Sequence, residues 1–441
     1  ILSLPPEILS TIFTFGQGMD QLQNPTGRIS HYPPFELLIS QVCQHFRRVA
    51  LAAKTLWHWV NISRNTRPRH VALYLQRSGT CPLDVRVDLA DAELECSRSM
   101  KEMFDAALTF SIRWRSFSIK TNKQGINHPT LVALCNVSFP VLQRLSITIE
   151  DIHQCPTHEG NHHLAPRVIP VSPTLVSLRL RGLAIHLFRP PLITLTTLHI
   201  DQTKAIPISQ SIFTSTITAS PALKNLSIYG DIMDDVSWEG NQDILLGGLR
   251  SLRICGVNGA VYSGLLLRII APQLRSLTLK DVQEHDLDRF LRSSNPTRFP
   301  RLCALAFFGF TLSEVAYRGI FLAFPTITSF TSISSAFETA TLLNLLSERV
   351  CGPLGTPSMW WTALRVLTFL DHDDGSLVQR VVALRKQCGV PIQRLRIGSS
   401  QKLTNLFWYT WLNRNVDLQG LSDIDSWPGS VNELDIDDDL F

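Results

Sequence analysis

Basic side chains recur at fixed places in a pattern that the chain repeats. The pattern is apolar-x-x-apolar-x-apolar. We counted the residues at its third place, at its fifth place and at the place just after it. Eight of them are basic and one, Asp201, is acidic. The basic residues are Lys120, Arg144, Arg179, Arg181, Arg253, Lys280, Arg394 and Arg396. Because the whole chain has 41 basic and 37 acidic residues, this is a local bias. Arginine matches the geometry of carboxylate and phosphate groups, so these places predict a surface for an acidic or phosphorylated protein segment.

The candidate substrate-binding residues come from these places and include two further side chains that form hydrogen bonds. They are Arg144, Arg179, Arg181, His199, Tyr229, Arg253, Lys280, Arg394 and Arg396. The alternative interpretation is a solvated basic face with no particular ligand.

The sequence contains no motif for bond chemistry. It has no G-x-S-x-G, P-loop, H-E-x-x-H or glycine-rich dinucleotide turn. Five residues of metal-binding type lie close together in a spacing that fits no standard zinc site, namely His153, Cys155, His158, His162 and His163. The segment 371–375 has the acids of a calcium loop but lacks its closing glutamate. We therefore predict no catalytic residue, no cofactor and no metal.

The repeated pattern predicts the elements that position the basic side chains. Its copies, one of them imperfect at Ile327, begin at Trp114, Leu142, Leu175, Leu195, Leu223, Leu249, Leu274, Leu302, Ile327, Leu364 and Ile392. The last apolar pair of each copy alternates as in a short strand, and helical patterns lie between copies, for example over 314–322 and 377–387. Most steps between copies match leucine-rich repeats, whose units run about 20–29 residues.

One such unit cannot fold alone. Burying its three apolar side chains contributes roughly 1.5–3 kcal/mol each, whereas ordering the backbone of a repeat costs roughly 1–2 kcal/mol per residue. The units must therefore stack and share a core, as in a solenoid. A Rossmann or TIM-type domain also alternates strands with helices, but neither predicts one recurring hexad.

The N-terminal segment begins with the pattern of an amphipathic helix. In residues 4–13 (LPPEILSTIF), the prolines suit a helix start because they need no amide partner there. Apolar residues at helical spacing, Ile8, Leu9, Ile12 and Phe13, then predict one apolar stripe. A second helical pattern covers 38–49 and is followed by Leu-Trp at 56–57.

Three blocks in this region occur in the order of an F-box: Leu-Pro-Pro-Glu-Ile-Leu at 4–9, Val-Cys-x-x-Phe-Arg-Arg-Val-Ala at 42–50, and Leu-Trp at 56–57. They resemble most closely the F-box-like form common in fungal proteins, with a long insertion at 16–34. The resemblance implies binding to the small Skp-family adaptor of SCF ubiquitin ligases, and through it to a cullin. It implies adaptor contact for Leu4, Pro5, Ile8, Ile12, Val42 and Cys43. Trp57 also matches, although a buried aromatic residue belongs more often to the core.

Composition favours a folded protein of a reducing compartment. Hydrophobic residues make up 44% of the chain and charged residues 18%, which is typical of globular domains. The net charge of +4 is too small to predict nucleic-acid binding, and no apolar run is long enough to predict a membrane span. The nine cysteines form no CxxC, which favours free thiols and a cytoplasmic or nuclear location.

The sequence thus predicts an α/β protein in three parts. An N-terminal helical F-box-like module covers 1–62, a junction with the solenoid start covers 63–112, and an irregular leucine-rich-repeat solenoid covers 113–441. The predicted function is that of a non-catalytic substrate receptor of an SCF-type ubiquitin ligase. The alternatives are a leucine-rich-repeat scaffold without a ubiquitin-ligase role, whose N-terminal helices only cap the repeats, and, more remotely, an enzyme.

Overall fold

The structure, a computed structural model, describes residues 4–23, 34–89, 94–122, 134, 137–150, 172–182, 184, 192–201, 210–230, 243–255, 259–281, 283–293, 296–351, 357–369, 375–398 and 407–420. These residues form two compact units that divide between Leu195 and Thr196. No helix in these ranges is long and apolar enough to cross a membrane.

The first unit begins with three helices: α1 (Pro6–Gln23), α2 (Phe35–Val42) and α3 (Gln44–Ala52). A 3-10 turn, Lys54–Trp57, follows them. Pro6 opens α1 at a position where no amide hydrogen bond is lost, and the Cys43 thiol caps α3 by accepting from the Phe46 amide at 3.4 Å. The helices bury one shared core, made of Leu9, Phe13, Ile39, Val49, Ala50, Ala53, Leu56 and Trp57.

The first unit continues as a parallel sheet in chain order. Its strands are β1 (Trp59–Ile62), β2 (Leu83–Asp88), β3 (Trp114–Asn122), β4 (Arg144–Glu150) and β5 (Ser177–Gly182). Helix α4 (Pro68–Arg77) joins β1 to β2, and α5 (Leu94–Leu108) with a 3-10 turn at Ser111–Arg113 joins β2 to β3. The predicted boundary at 62 therefore falls at the end of β1.

The described residues of the second unit form nine parallel strands, again in chain order. They are β6 (Thr197–Asp201), β7 (Asn225–Tyr229), β9 (Ser251–Cys255), β11 (Ser276–Lys280), β12 (Ala304–Phe308), β13 (Ser329–Ile333), β16 (Val366–Phe369), β17 (Arg394–Ile397) and β18 (Asp417–Gly420). Two small pairs lie outside this sheet: β8 (Ile244–Leu245) with β10 (Ile269–Ile270), and β14 (Arg349–Cys351) with β15 (Pro357–Met359).

Helices alternate with these strands along the second unit. They are α6 (Gln210–Thr218), α7 (Gly259–Arg268), α8 (Glu284–Ser293), α9 (Glu314–Ala323), α10 (Ala336–Leu346), α11 (Gly375–Gln387) and α12 (Phe407–Asn415). A 3-10 turn covers Pro296–Arg298.

The central apolar place of each repeat forms one continuous row through the second unit. The register of the strands aligns one residue from each: Leu198, Leu226, Leu252, Leu277, Leu305, Phe330, Leu367, Leu395 and Leu418. All but the last are buried. Within each unit the described strands follow chain order without the reversal that marks a doubly wound sheet. The protein is therefore a mixed helix-and-strand protein of the solenoid-like class, with a long parallel sheet.

Candidate functional site

Helices α1 and α2 together expose six large apolar side chains. On α1 they are Ile8, Ile12, Phe15 and Met19, whose spacing of four, three and four residues places them on one helix face. On α2 they are Leu38 and Val42, one turn apart. All six are between 41% and 72% exposed. We call these six residues the apolar face; exposed apolar groups of this size mark interaction sites on soluble proteins.

The neighbouring face of α1 supplies the core of the helical module. Leu9 and Phe13 are buried, and the Phe13 ring packs edge-on against Phe46 at 5.1 Å. The sequence predicted one stripe containing Ile8, Leu9, Ile12 and Phe13. The structure corrects this, because adjacent positions on a helix turn by about 100° and only one residue of each pair is buried. The core of the helical module is therefore formed without the six residues of the apolar face.

A buried carboxylate lies behind the apolar face. Glu36 of α2 accepts from Gln17 Nε2 at 3.0 Å and from the Tyr74 hydroxyl of α4, and Gln17 Nε2 also donates to the Leu56 carbonyl at 2.9 Å. Burial, and then the charge of Glu36, raises the pKa of Tyr74 far above its ordinary value. Because Tyr74 therefore stays protonated, it remains a donor, and α1, α2 and α4 are held together.

The predicted adaptor-contact residues are placed unequally. Pro5, Ile8, Ile12 and Val42 are exposed, and Leu4 packs partly against the helical core. Cys43 is half-buried and caps α3. Sequence reasoning missed Phe15, Met19 and Leu38. Phe15 and Met19 continue the helical spacing of Ile8 and Ile12, and Met19 lies beyond Gly16, where the sequence suggested an insertion.

Trp57 belongs to the core. It is fully buried, its indole Nε1 donates to the Ala50 carbonyl at 2.9 Å, and the Tyr74 ring packs edge-on against it at 5.2 Å. The guanidinium of Arg77 lies 4.3 Å from its ring centroid. Trp57 thus joins the helical module to α4, which packs beside the sheet.

A second surface lies on the polar side of strands β2–β5. Arg86, Ser118, Ser146 and Arg179 stand in one row across these four strands, which spans about 14 Å at the usual strand spacing. The next row, two residues further on, contains Asp88, Lys120, Thr148 and Arg181, and Arg144 lies in the row before. We call Arg86, Lys120, Arg144, Arg179 and Arg181 the basic strand face. Arg181 is almost enclosed, with 4% of its surface exposed.

Asp84 forms the margin of the basic strand face. Its buried carboxylate accepts from Arg115 Nε at 3.1 Å and a second time from the same guanidinium, and lies 3.2 Å from His58 Nε2 and 3.9 Å from Arg144 Nη2. Burial by itself raises the pKa of Asp84, but the hydrogen bonds from His58 and Arg115 outweigh it and hold that pKa below its ordinary value. Asp84 therefore stays ionised and offsets part of the positive charge.

The structure separates the nine predicted substrate-binding residues into three groups. Three of them, Arg144, Arg179 and Arg181, belong to the basic strand face. The second group lies on the adjacent strands β6, β7, β9 and β11 of the second unit. It consists of His199, Tyr229, Arg253 and Lys280. Lys280 Nζ lies 5.9 Å from the centroid of the Tyr229 ring. The last group, Arg394 and Arg396, lies on β17, four strands beyond β11, or roughly 19 Å.

The acidic residues at the ends of the strand series were not anticipated. Arg394 Nε donates to Asp417 of β18 at 2.8 Å, and Arg396 Nε contacts Gln419 at 3.4 Å. Asp84 and Asp88 of β2 occupy equivalent places in the first unit. The sequence pattern did not include β2 or β18 because neither carries a complete hexad.

Among the residues with described positions, no group of three or more His, Cys, Asp or Glu side chains could hold a metal ion. The cluster from His153 to His163 and the segment 371–374 lie outside the described residues.

Comparison with known proteins gives little likeness. No protein-family model and no curated protein matches this chain. Among solved structures, a Bacteroides fragilis protein is similar with 14% sequence identity and a TM-score of 0.29. The match covers 57% of this chain and 64% of that protein's chain.

Proposed function

We propose that this chain is a substrate-receptor subunit of an SCF-type ubiquitin ligase. In this proposal the apolar face binds a Skp-family adaptor, which connects to a cullin, and the strand faces bind a protein substrate. The observation that carries the proposal is the apolar face itself: six exposed side chains on two helices whose own core is complete. The order of the three F-box-like blocks in residues 4–57 supports the same assignment. The chain itself performs no bond chemistry in this role.

We further infer that the α/β repeats are irregular leucine-rich repeats. Support comes from the row of leucines and one phenylalanine in the second unit, one from each main strand and all buried except Leu418. In-register stacking of this kind is the arrangement that lets short repeats share a core.

The substrate is, in this proposal, an acidic or phosphorylated protein segment that binds the basic strand face. Five basic residues lie around the hydroxyls of Ser118 and Ser146, and the margin acid Asp84 contacts Arg115 and His58 more closely than it contacts Arg144. Arginines beside hydroxyl donors suit phosphate and carboxylate oxygens.

A cytoplasmic or nuclear location fits this role. Five cysteines, Cys43, Cys81, Cys255, Cys303 and Cys388, are free thiols. Free thiols persist in reducing compartments.

The test is capture of purified Skp-family adaptor by the wild-type chain and by an Ile8→Asp/Ile12→Asp variant. The matched control is Val315→Asp/Leu322→Asp, which places the same charges on apolar residues of α9 that are even more exposed than Ile8 and Ile12. We expect capture by the wild type and the control but not by the α1 variant, with all three folded by circular dichroism.

If the folded wild type captures no adaptor, the ubiquitin-ligase role is wrong. The protein is then better described as a repeat scaffold, with its N-terminal helices acting as a cap.

A further inference from the structure

The imperfect copy of the repeat places a serine inside the core of the second unit. Two residues beyond the buried leucine row, the strands contribute a second row: Ile200, Ile228, Ile254, Leu279, Phe307, Ser332, Phe369 and Ile397. Ser332 is fully buried between Phe307 and Phe369. Among these eight residues it has the smallest side chain and fills the least of the core.

Two other polar side chains are buried at the same end of the sheet. Tyr317 lies in the first turn of α9 and Glu338 in the first turn of α10, the helices that follow β12 and β13. Tyr317 packs edge-on against Phe310 at 6.2 Å, and Phe310 packs against Phe307, the strand neighbour of Ser332. Helices α9 and α10 contact each other, and burial, followed by the charge of Glu338, raises the pKa of Tyr317.

Three atoms in this cluster are enclosed without a hydrogen-bond partner in the described part of the chain. They are Tyr317 OH, Ser332 Oγ and Glu338 Oε2. Most buried polar side-chain atoms in proteins have a hydrogen-bond partner, because the cost of removing an unpaired one from water is not recovered. The three atoms are complementary, since a carboxylate only accepts hydrogen bonds whereas hydroxyls both donate and accept.

We propose that Tyr317, Ser332 and Glu338 hold a buried water molecule that links α9, β13 and α10. The water accepts from Tyr317 OH and donates to Glu338 Oε2 and Ser332 Oγ. Three partners are the number that a buried water molecule usually has. A cation fits less well, because hard cations take six or more oxygen ligands and this cluster offers a single carboxylate. This inference does not depend on the proposed function.

The test compares thermal unfolding of Ser332→Ala and Ser332→Val in the full chain. Valine adds apolar volume and favours a strand, so it raises the unfolding midpoint if the space beside Ser332 is dry. If water occupies the space, valine displaces it and leaves Tyr317 and Glu338 unpaired. We expect Ser332→Val to unfold about 2–6 °C below Ser332→Ala. A midpoint for Ser332→Val above that of the wild type overturns the proposal.

A second measurement covers the case in which Ser332→Val does not fold. Tyr317→Phe and Ser332→Ala are combined in a double-mutant cycle. Because both side chains bind the same water, the effects on the midpoint are non-additive; additive effects count against a shared water. A crystal structure that shows the three side chains well ordered, with no water peak within hydrogen-bond distance of them, also overturns the proposal.

Discussion

The ring of Phe35 lies against Gly16, in the space that a β-carbon on that residue would occupy. This contact brings α2 close to α1 and sets the two helices that carry the apolar face. Gly18, two residues further along α1, has open space around the same position. The two glycines therefore differ in role although both lie inside one helix.

The first prediction follows from this difference. Alanine is favoured over glycine inside a helix by about 0.8–1 kcal/mol, so Gly18→Ala should raise the free energy of unfolding by up to that amount. Gly16→Ala has the same propensity gain but displaces the Phe35 ring, and we expect it to be less stable than Gly18→Ala. Urea unfolding of both variants measures this. Equal stabilisation by the two alanines contradicts the close contact.

The second prediction separates binding from folding on α1. Phe15→Ser and Met19→Ser alter exposed side chains, so we expect loss of adaptor affinity with little change in stability. Phe13→Ala removes a buried ring and should cost about 3–5 kcal/mol. Calorimetric titration with the adaptor and thermal unfolding give the two readouts. If the double Phe15→Ser/Met19→Ser variant binds the adaptor with wild-type affinity, this end of the apolar face does not contact the adaptor.

The third prediction concerns the basic strand face. Arg179→Glu should weaken binding of a phosphoserine-rich peptide, and the loss should shrink as salt increases because exposed charges are screened. Arg394→Glu is the matched control, since Arg394 already pairs with Asp417 on another part of the protein. Fluorescence anisotropy at two salt concentrations measures both. Equal losses in the two variants point to non-specific charge attraction.

The fourth prediction concerns acid stability. The folded-state pKa of Asp84 is lowered, so its ion pairs stabilise the protein above its unfolded pKa of about 3.9. That stability is lost as the pH falls through the folded pKa. Asp84→Asn should be less stable than the wild type at pH 7 and should lose less on acidification. Asp105→Asn, which alters an exposed ion pair with Lys101, serves as the control. It should change little in either the stability at pH 7 or the stability lost on acidification.

The fifth prediction uses two glycines with left-handed backbone. Gly309 has a φ of 55° and Gly389 a φ of 75°, a region that costs an L-residue roughly 1–2 kcal/mol. A β-carbon on Gly309 would also lie 2.7 Å from Asp281 Oδ1, whereas Gly389 has nothing within 4 Å. Gly309→Ala should therefore lower the unfolding free energy more than Gly389→Ala. The reverse order in chemical denaturation contradicts this reading of the Asp281 contact.

Sequence periodicity predicted the strands well because each repeat obeys the same local rule. The buried places from Leu198 to Leu395 were all identified from the hexad, since a parallel strand covered by helices needs apolar residues there. In the second buried row, Ser332 is the exception, because the hexad predicts an apolar residue at its place. It lies in the copy that the sequence already showed to be imperfect.

Long-range partners could not be predicted in the same way. The hydrogen bonds of Glu36 with Gln17 and Tyr74 join positions 19 and 38 residues apart, and nothing in the local pattern indicates them. Asp84 was missed as a partner of Arg115 for the same reason. The basic residues fall into three groups because different numbers of strands separate them. That number is known only once the pairing of the strands is known.

The chain-order sheet also bears on synthesis. Within each unit, every main strand pairs with the strands made just before and just after it. A repeat emerging from the ribosome thus meets a finished template instead of waiting for a distant segment, and such local contacts favour rapid folding. The nascent protein can lengthen its core one repeat at a time, and at the growing end of the sheet only the newest strand presents an unpaired edge to other chains.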